Sequence, residues 1–522
     1  MRQSTKKDTL IYILTLCYMI PLTGFLAANT LFSLTQTTYM ELYLETEKPL
    51  YKADSPLILI ILGTAFLLLC GYIFQKWEIS HKLCSVIEHI TLIYVAVICL
   101  IIVFLFRATV ACDSASLSEI AVSFLGKDYS SLTGDGYLVH YPHQLGMIAF
   151  LEIIYFLFGI ENYTLLQFVN IIAIVAVIYY LHRITRELFD DNRIQLMLSM
   201  LCLGMLPLYL YAVFIYGDIP GLGFAVPAVY YTLRYLSSQQ KTLLIPAFLC
   251  ITFAVILKSN NSVILATIVI ILLLHALRQR DLFALILAAV IMIGPTIGNS
   301  CIDAYYANAS GLDEIPSGIP KIAWIAMGLQ ENDYLENGWY NSYNWATYTQ
   351  YDHDAQKTAE ASMDSIKNSL QSFLSAPRSS GLAFFYRKFI SQWNDPGYQA
   401  QITVEWYSRH RDDQSPLALY LIYGNGRFLL EGFMNLYHFL ILLGASAFVI
   451  QSIRRWSLSG ALLCLCVFGG YFFHTFWEAA GRYGLGYFVL CVPMTACGLC
   501  TIIKAAHKFL HEQLPLLLHR KK

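Results

Sequence analysis

The chain alternates long apolar runs with shorter polar stretches along most of its length. A helix needs about 20 apolar residues to cross the hydrocarbon core of a bilayer, which is about 30 Å thick. The runs therefore predict an all-α, polytopic membrane protein with about twelve crossing helices. We place them at residues 9–31, 56–76, 86–106, 163–182, 194–214, 219–236, 243–257, 260–276, 282–303, 429–451, 457–475 and 484–503. The runs at 243–257 and 260–276 are short and are alternatively two halves of one broken element.

Basic residues distinguish the two sides of the predicted membrane protein. Cytoplasmic loops carry an excess of Lys and Arg. In this topology the basic loops are residues 2–7, 75–82, 182–193, 234–241, 275–280, 454–455 and 504–522. Both termini are therefore predicted to lie in the cytoplasm, and the first apolar run is predicted to be an uncleaved helix.

Two long segments fall on the outer side. Residues 107–162 include the apolar stretch 145–159, which would invert all later loops if it crossed, so a helix in the membrane interface is predicted. Residues 304–428 are too long for a bare linker and predict a folded or surface-bound functional segment. The chain thus divides into N-terminal transmembrane helices (1–106), the first external loop (107–162), a transmembrane core (163–303), the second external segment (304–428), and C-terminal transmembrane helices with a cytoplasmic tail (429–522).

Composition agrees with this fold class. The 522 residues are 57% hydrophobic and 13% charged, with a mean hydropathy of +0.54, whereas a soluble chain carries about 25% charged residues. The net charge of −1 gives no reason to expect a nucleic-acid partner. Most of the 13 cysteines lie within apolar runs, and none has the spacing of a structural zinc site.

Polar residues at the outer ends of the predicted helices form the candidate site. An ionisable group at a membrane helix end is costly to place there, so it is a functional candidate by default. The topology brings the following side chains to one layer: Asp113, Tyr141, His143, Gln144, Asp218, Lys258, Asn260, His474, Glu478 and Arg482.

Each charged residue of this set also has a simpler interpretation. Asp113 is alternatively a solvated loop acid or a helix cap, and Asp218 an N-cap of the helix that follows it. Lys258 is alternatively a lysine that extends to the lipid headgroups. Glu478 and Arg482 are four residues apart, so on a helix they could pair and merely tether two helices.

Transfer of a sugar from a lipid phosphate needs such a set of residues. A carboxylate must accept the proton of the attacking hydroxyl, and cations must stabilise the phosphate leaving group. Asp113 or Asp218 suits the first role, and Arg482 with Lys258 suits the second. Glu478 would orient the phosphate that Arg482 binds. The remaining residues of the set would contribute to substrate binding in the same cleft: Tyr141, His143, Gln144, Asn260 and His474.

Three motifs resemble those of the GT-C superfamily of membrane glycosyltransferases, specifically a bacterial branch of the dolichyl-phosphate-mannose protein mannosyltransferase and aminoarabinose transferase-like group. The first runs from Asp113 to the turn Tyr141-Pro-His-Gln-Leu-Gly146 and its apolar helix. The second joins the basic turn at 181–189 to Asp218-Ile-Pro220, and the third is Trp477-Glu478 with Arg482-Tyr483. The resemblance implies that Asp113 is the essential catalytic or acceptor-side carboxylate and that Asp218 lies near it.

The chain departs from the family in two ways. The family places its first external loop after the first helix, whereas here it follows the third, so two N-terminal helices are added. Protein mannosyltransferases of the family often have paired acids at the first site, whereas Ser114 follows Asp113 here, which argues against a protein acceptor of that type. Some relatives hold a divalent ion near the two acids, and the sequence leaves open whether Asp113 and Asp218 bind one.

The expected function is inverting transfer of a sugar from a polyprenyl-phosphate donor to a cell-envelope acceptor at the outer face of the membrane. The acceptor could be a glycan, a teichoic-acid-like polymer, a lipid or a protein. One alternative is a transporter or lipid flippase, which would place charges near the middle of its helices and show internal symmetry. Another is a non-catalytic partner in envelope assembly, which would tolerate substitution of Asp113, Asp218 and Arg482 together.

Overall fold

The computed structural model describes residues 6–44, 46–332, 335–375, 378–409, 411 and 413–510. The predicted all-α class is confirmed, because these residues form long helices with a single two-stranded sheet. Parts of the predicted cytoplasmic segments, residues 2–5 and 511–522, lie outside the described residues. The helices in chain order are α1 (Lys6–Thr35), α2 (Pro56–Lys76), α3 (His81–Phe106), α4 (Asp113–Leu125), α5 (Tyr137–His140), α6 (Leu145–Phe158), α7 (Tyr163–Leu188), α8 (Asn192–Leu203), α9 (Leu206–Leu210), α10 (Asp218–Ser238), α11 (Leu244–Leu257), α12 (Ser262–Gln279), α13 (Leu282–Ser310), α14 (Ile322–Gly328), α15 (Tyr343–Gln350), α16 (Ala355–Ser375), α17 (Arg378–Trp393), α18 (Ala400–Ser408), α19 (Pro416–Ile422), α20 (Asn425–Arg454), α21 (Leu458–Phe476) and α22 (Leu485–Lys508).

Nine helices of the described chain are long and apolar enough to cross a membrane, or up to eleven if each of two bent helix pairs is one span. Three of the twelve predicted spans are not among the nine. Residues 194–214 are divided between α8 and α9 with a 45° bend. α10 covers 219–236, but it includes two prolines, two glycines and three tyrosines and is less apolar than the nine. α11 covers 243–257 and has 14 residues, which extend only about 21 Å. The chain is a multi-pass membrane protein, and the count of twelve stays a prediction.

The two N-terminal helices α1 and α2 are joined by a β-hairpin that was not predicted. β1 (Gln36–Met40) and β2 (Pro49–Ala53) pair antiparallel, with Gln36 opposite Ala53. The sequence of β1, Gln-Thr-Thr-Tyr-Met, is rich in the β-branched and aromatic residues that favour strands. Thr38 Oγ1 donates to the Ile390 carbonyl at 2.8 Å, so the hairpin is held against α17.

The first external loop folds as α4, α5 and α6. The helix predicted at 145–159 is α6, which turns by 99° from the helical residues 130–140. Its side chains Ile153, Phe156 and Leu157 are 58%, 76% and 60% exposed, as expected for a helix that contacts lipid. Its position in the membrane interface stays a prediction.

The second external segment folds as α14 to α19 and packs on the transmembrane helices. Its two apolar islands, 319–329 and 382–393, bury Met327 and Trp393 inside the protein. The Trp393 ring stacks on Tyr471 of α21 with their centroids 4.0 Å apart. The segment is therefore built into the core beside α21.

A close crossing of α20 and α22 determines how the C-terminal helices pack. α20 and α22 approach at Gly444 and Gly498, where a Cβ on Gly498 would lie 1.8 Å from the Gly444 carbonyl oxygen. Small residues permit such contacts between membrane helices. The crossing sets the position of α22, whose N-terminal end carries the loop with Glu478 and Arg482.

Candidate active site

Lys258 and Asp218 meet where the turn before α10 crosses the end of α11. Gly217 permits this crossing, since a Cβ there would lie 1.9 Å from the Leu257 carbonyl oxygen. Lys258 Nζ lies 3.0 Å from Asp218 Oδ2, and the two side chains are 13% and 14% exposed. The cap interpretation of Asp218 is wrong, because Gly217 occupies the N-cap position. Lys258 is paired with a carboxylate and does not extend freely to the headgroups.

The surroundings of Lys258 make its charge sensitive to an incoming anion. Its ammonium lies 4.2 Å from the centroid of the Tyr216 ring, and the Tyr216 hydroxyl accepts a hydrogen bond from the Gln144 amide. Burial lowers the pKa of Lys258, while the Asp218 carboxylate acts in the opposite direction. An anion that approached this desolvated ammonium would stabilise its charged form.

Asp113 is the first residue of α4, and its side chain is exposed to the cavity described below. The helix-cap interpretation is wrong, because Cys112 occupies the N-cap position. Within the described chain, no ion pair or hydrogen bond holds the Asp113 carboxylate. The neighbouring Ser114 is buried and donates to the Tyr407 hydroxyl at 2.6 Å, so it points away from the site.

The predicted pairing of Glu478 with Arg482 on one helix is wrong. α21 ends at Phe476, and the chain from Trp477 to Ala480 is extended before a 3₁₀ turn at Gly481–Gly484. Arg482 instead pairs with Glu47 of the hairpin loop, with Nη1 3.0 Å from Oε1. Glu478 is 5% exposed and accepts a hydrogen bond from the Tyr483 hydroxyl at 3.1 Å.

The second external segment holds this loop through Lys388, which is 2% exposed. Its ammonium donates to the carbonyls of Gly328, Thr475 (3.1 Å) and Trp477 (2.7 Å). Three further bonds join the segment to the loop: Ala479 N–H to Gly338 O, Gln392 Nε2 to Ala480 O, and Arg482 N–H to Gln399 Oε1. Lys388 and these bonds fix the backbone on both sides of Glu478.

A cavity of about 1460 Å³ joins these groups. Its charged end contains Glu47, Asp113, Lys258, Glu478 and Arg482. From there an apolar groove runs between α12 and α21, lined by Val263, Ala266, Ile270, Leu465, Phe468 and Phe472. The cavity therefore accommodates a polar group and a long apolar chain in one continuous space.

Eight of the ten predicted site residues line this cavity: Asp113, Tyr141, His143, Gln144, Lys258, Asn260, Glu478 and Arg482. Asp218 lines a small adjoining cavity that shares Lys258 and Arg482 with the large one. His474 is 1% exposed and stacks on Tyr483 at 5.5 Å, below the cavity wall. The roles of all ten stay predictions.

Sequence reasoning missed a wall of the cavity that we call the amide–aromatic wall. It consists of Trp324, Trp339, Tyr340, Asn341 and Asn344, all from the second external segment. Asn344 is fully buried, and its Nδ2 has no hydrogen-bond partner among the described residues. The concentration of Trp, Tyr and Asn at 338–345 was the available signal.

The described residues offer poor ligands for a divalent ion. No group of three or more His, Cys, Asp and Glu side chains in the described chain is arranged to hold a metal. Asp218 is engaged by the Lys258 ammonium, which would compete with a cation.

The fold and the cavity define a multi-pass membrane protein whose site combines charged groups with a groove for an apolar chain. Residues 143–298 match the family model of dolichyl-phosphate-mannose-protein mannosyltransferase. This match confirms the resemblance to the GT-C membrane glycosyltransferases, and it includes Asp218 and Lys258. No curated protein matches the chain significantly.

Proposed function

We propose that the protein transfers a sugar from a polyprenyl-phosphate donor to a cell-envelope acceptor at the outer face of the membrane. The observation that carries the proposal is the single cavity in which Asp113, Lys258 and Arg482 face an apolar groove. A lipid-linked sugar phosphate has the same two parts, a charged head and an apolar chain. The GT-C family also implies a polyprenyl-phosphate sugar donor.

The chemistry assigns different roles to the carboxylate and the cations. Asp113 accepts the proton of the acceptor hydroxyl, whose oxygen bonds to the anomeric carbon. The bond from that carbon to the phosphate oxygen breaks, and its electron pair stays on the phosphate. Lys258 and Arg482 stabilise the charge that develops there. Direct displacement inverts the anomeric configuration.

The amide–aromatic wall supports an acceptor that carries sugar rings. Amide groups both donate and accept hydrogen bonds, which suits hydroxyl groups, and aromatic faces provide apolar surface for the C–H faces of a ring. The unpartnered Asn344 Nδ2 is a buried donor that a hydroxyl would satisfy. We assign this wall to the acceptor glycan.

Consumption of defined donors tests the proposal. Purified protein is incubated with polyprenyl-phosphate hexoses and pentoses together with a cell-envelope glycan fraction, and released polyprenyl phosphate is measured. Asp113→Asn should abolish release while the protein remains expressed and inserted. Asp135→Asn, at a side chain that is 86% exposed and on the same external loop, is the matched control. Normal release in Asp113→Asn would exclude the assigned base, and lipid movement without bond cleavage would favour a flippase.

Labelling of Cys112 tests the outer-face location separately. Cys112 is exposed and lines the cavity beside Asp113. Partial desolvation in the cavity, together with the neighbouring Asp113 carboxylate, raises its thiol pKa, so labelling is done at mildly alkaline pH. A membrane-impermeant maleimide should label intact cells, and Cys112→Ser should lose this signal. Labelling only after permeabilisation would place the site on the cytoplasmic side.

A further inference from the structure

The β-hairpin between α1 and α2 delivers a carboxylate into the site from outside the family match. Its strands rest on the second external segment: Thr38 N–H donates to the Asn394 carbonyl at 3.1 Å, and Asn394 Nδ2 donates to the Gln36 carbonyl at 2.7 Å. The loop between the strands carries Glu47, which lines the main cavity. The added N-terminal helices are therefore part of the site.

Glu47 pairs with Arg482 across 435 positions of sequence at 3.0 Å. The two side chains are 18% and 22% exposed. The backbone of Arg482 is fixed by its N–H bond to Gln399 Oε1 at 2.9 Å. Its buried Nε has no hydrogen-bond partner within the described residues, so the guanidinium keeps donors for a second anion.

The charge around the site opposes entry of a phosphate. The linings of the two cavities carry four carboxylates (Glu47, Asp113, Asp218 and Glu478) and three cations (Lys258, Lys321 and Arg482). The donor is a phosphodiester with one negative charge, and the released polyprenyl phosphate is a monoester with a charge of about −1.5 to −2 at neutral pH. Either ligand would have to share Arg482 with the Glu47 carboxylate that pairs with it, or displace that carboxylate.

Glu47 is the carboxylate best placed to leave. Asp218 is fixed at the start of α10 and pairs with Lys258, and Glu478 is buried in the loop that Lys388 holds. Asp113 faces the acceptor in the proposed reaction. Glu47 alone lies in a loop between two strands, and rotation of its side chain frees Arg482.

We propose that Glu47 is a displaceable counter-ion, which holds Arg482 in the empty site and yields it to the lipid phosphate. This inference rests on the proposed function. The carboxylate keeps Arg482 oriented between turnovers. It also competes with the product, polyprenyl phosphate, and so favours release of a ligand that would otherwise bind too tightly.

Equilibrium binding of polyprenyl phosphate to the full chain in nanodiscs tests the inference. Glu47→Gln should bind about tenfold more tightly than the wild type, because a charge-assisted competitor of Arg482 is removed. Glu41→Gln is the matched control, since Glu41 pairs with Lys48 in the same loop and has a 36% exposed side chain. It should bind like the wild type. Glu47→Asp, which keeps the charge but shortens the side chain, should bind a few-fold more tightly.

The outcomes separate this inference from the proposed function. Suppose that the wild type binds polyprenyl phosphate and Arg482→Gln does not. If both Glu47 variants then bind as tightly as the wild type or more weakly, the counter-ion role alone is wrong. Wild-type protein that does not bind polyprenyl phosphate overturns the proposed donor and the counter-ion together. Thermal unfolding of each variant identifies any variant that does not fold. If Glu47→Gln is unstable, the binding measured for Glu47→Asp decides the test.

Discussion

Two cations of the site, Lys258 and Arg482, are each paired with a carboxylate, but in different ways. Lys258 pairs with Asp218 across two consecutive helices, α10 and α11, inside the region that matches the family model. Arg482 lies outside that match and pairs with Glu47 of the N-terminal hairpin. Its loop is held by Lys388 of the second external segment. One cation depends on neighbouring helices, whereas the other depends on two distant parts of the chain, the N-terminal hairpin and the second external segment.

The two pairs therefore differ in how much of the chain their positions depend on. The close approach at Gly217 needs only α10 and α11. The position of Arg482 needs the hairpin and the second external segment as well. We expect substitutions near Lys258 to act locally, and substitutions around Arg482 to act through contacts far away in sequence.

Removal of Arg482 should have the largest effect. Arg482→Gln should lower turnover of the donor by about 10²- to 10³-fold, as loss of a charge-stabilising donor does in other enzymes. Released polyprenyl phosphate is the measurement. Arg107→Gln, which removes a 60% exposed Arg paired with Asp413, should keep wild-type turnover. Turnover of Arg482→Gln within twofold of wild type would contradict a role at the phosphate.

Removal of Lys258 should have a somewhat smaller effect and tests whether its pair is structural. Lys258→Met should lower turnover about 100-fold and also lower the thermal unfolding midpoint, since it leaves Asp218 partly buried without its cation. Adding Asp218→Asn should restore the midpoint but not turnover. Recovery of turnover in the double variant would mean that Lys258 serves only to neutralise Asp218.

The two pairs also show what the sequence could predict. The helix ends that carry Asp218 and Lys258 could be placed in one layer, because apolar runs and basic loops predict a topology with both ends on the same side. The hairpin was missed, since its strands are short and lie between two long apolar runs. Glu47 therefore gave no local signal of its contact with Arg482.

The positions at which helices end were the second feature that the sequence did not predict. The pattern from His474 to Arg482 fits one helix face, but α21 ends at Phe476. The break is stabilised by tertiary contacts, because the Lys388 ammonium donates hydrogen bonds to the carbonyls of Thr475 and Trp477. Such contacts come from a segment nearly ninety residues away and override helical spacing.

Removal of Lys388 should have an intermediate effect and tests the distant support of Arg482. Lys388→Met leaves three carbonyls without their donor, so the loop should shift and turnover should fall about tenfold. Affinity for polyprenyl phosphate should fall with turnover. The change in the thermal unfolding midpoint that Lys258→Met causes should be the same with and without Lys388→Met. Lys367→Met, which is exposed on α16, is the control. Unchanged phosphate affinity would make Lys388 a purely structural residue.

The smallest effect should be a change in the pH dependence of stability at Glu478. Burial raises the pKa of Glu478 to about 7, so the folded state favours the protonated carboxyl. Stability present at low pH is then lost as the pH rises through 7. Between pH 6 and pH 8 this loss is about 1 kcal/mol, and Glu478→Gln should remove it from the thermal unfolding midpoints at the two pH values.

Asp395 also affects stability in this pH range, so the contribution of Glu478 is measured as the difference between the wild type and Glu478→Gln. Burial also raises the pKa of Asp395 to about 7, so wild type and Glu478→Gln share its contribution, with the same sign. Only the part that differs between them belongs to Glu478. If the two proteins lost equal stability between pH 6 and pH 8, Glu478 would be ionised in the folded protein throughout. The loop would then place a second negative charge near Arg482, in addition to that of Glu47.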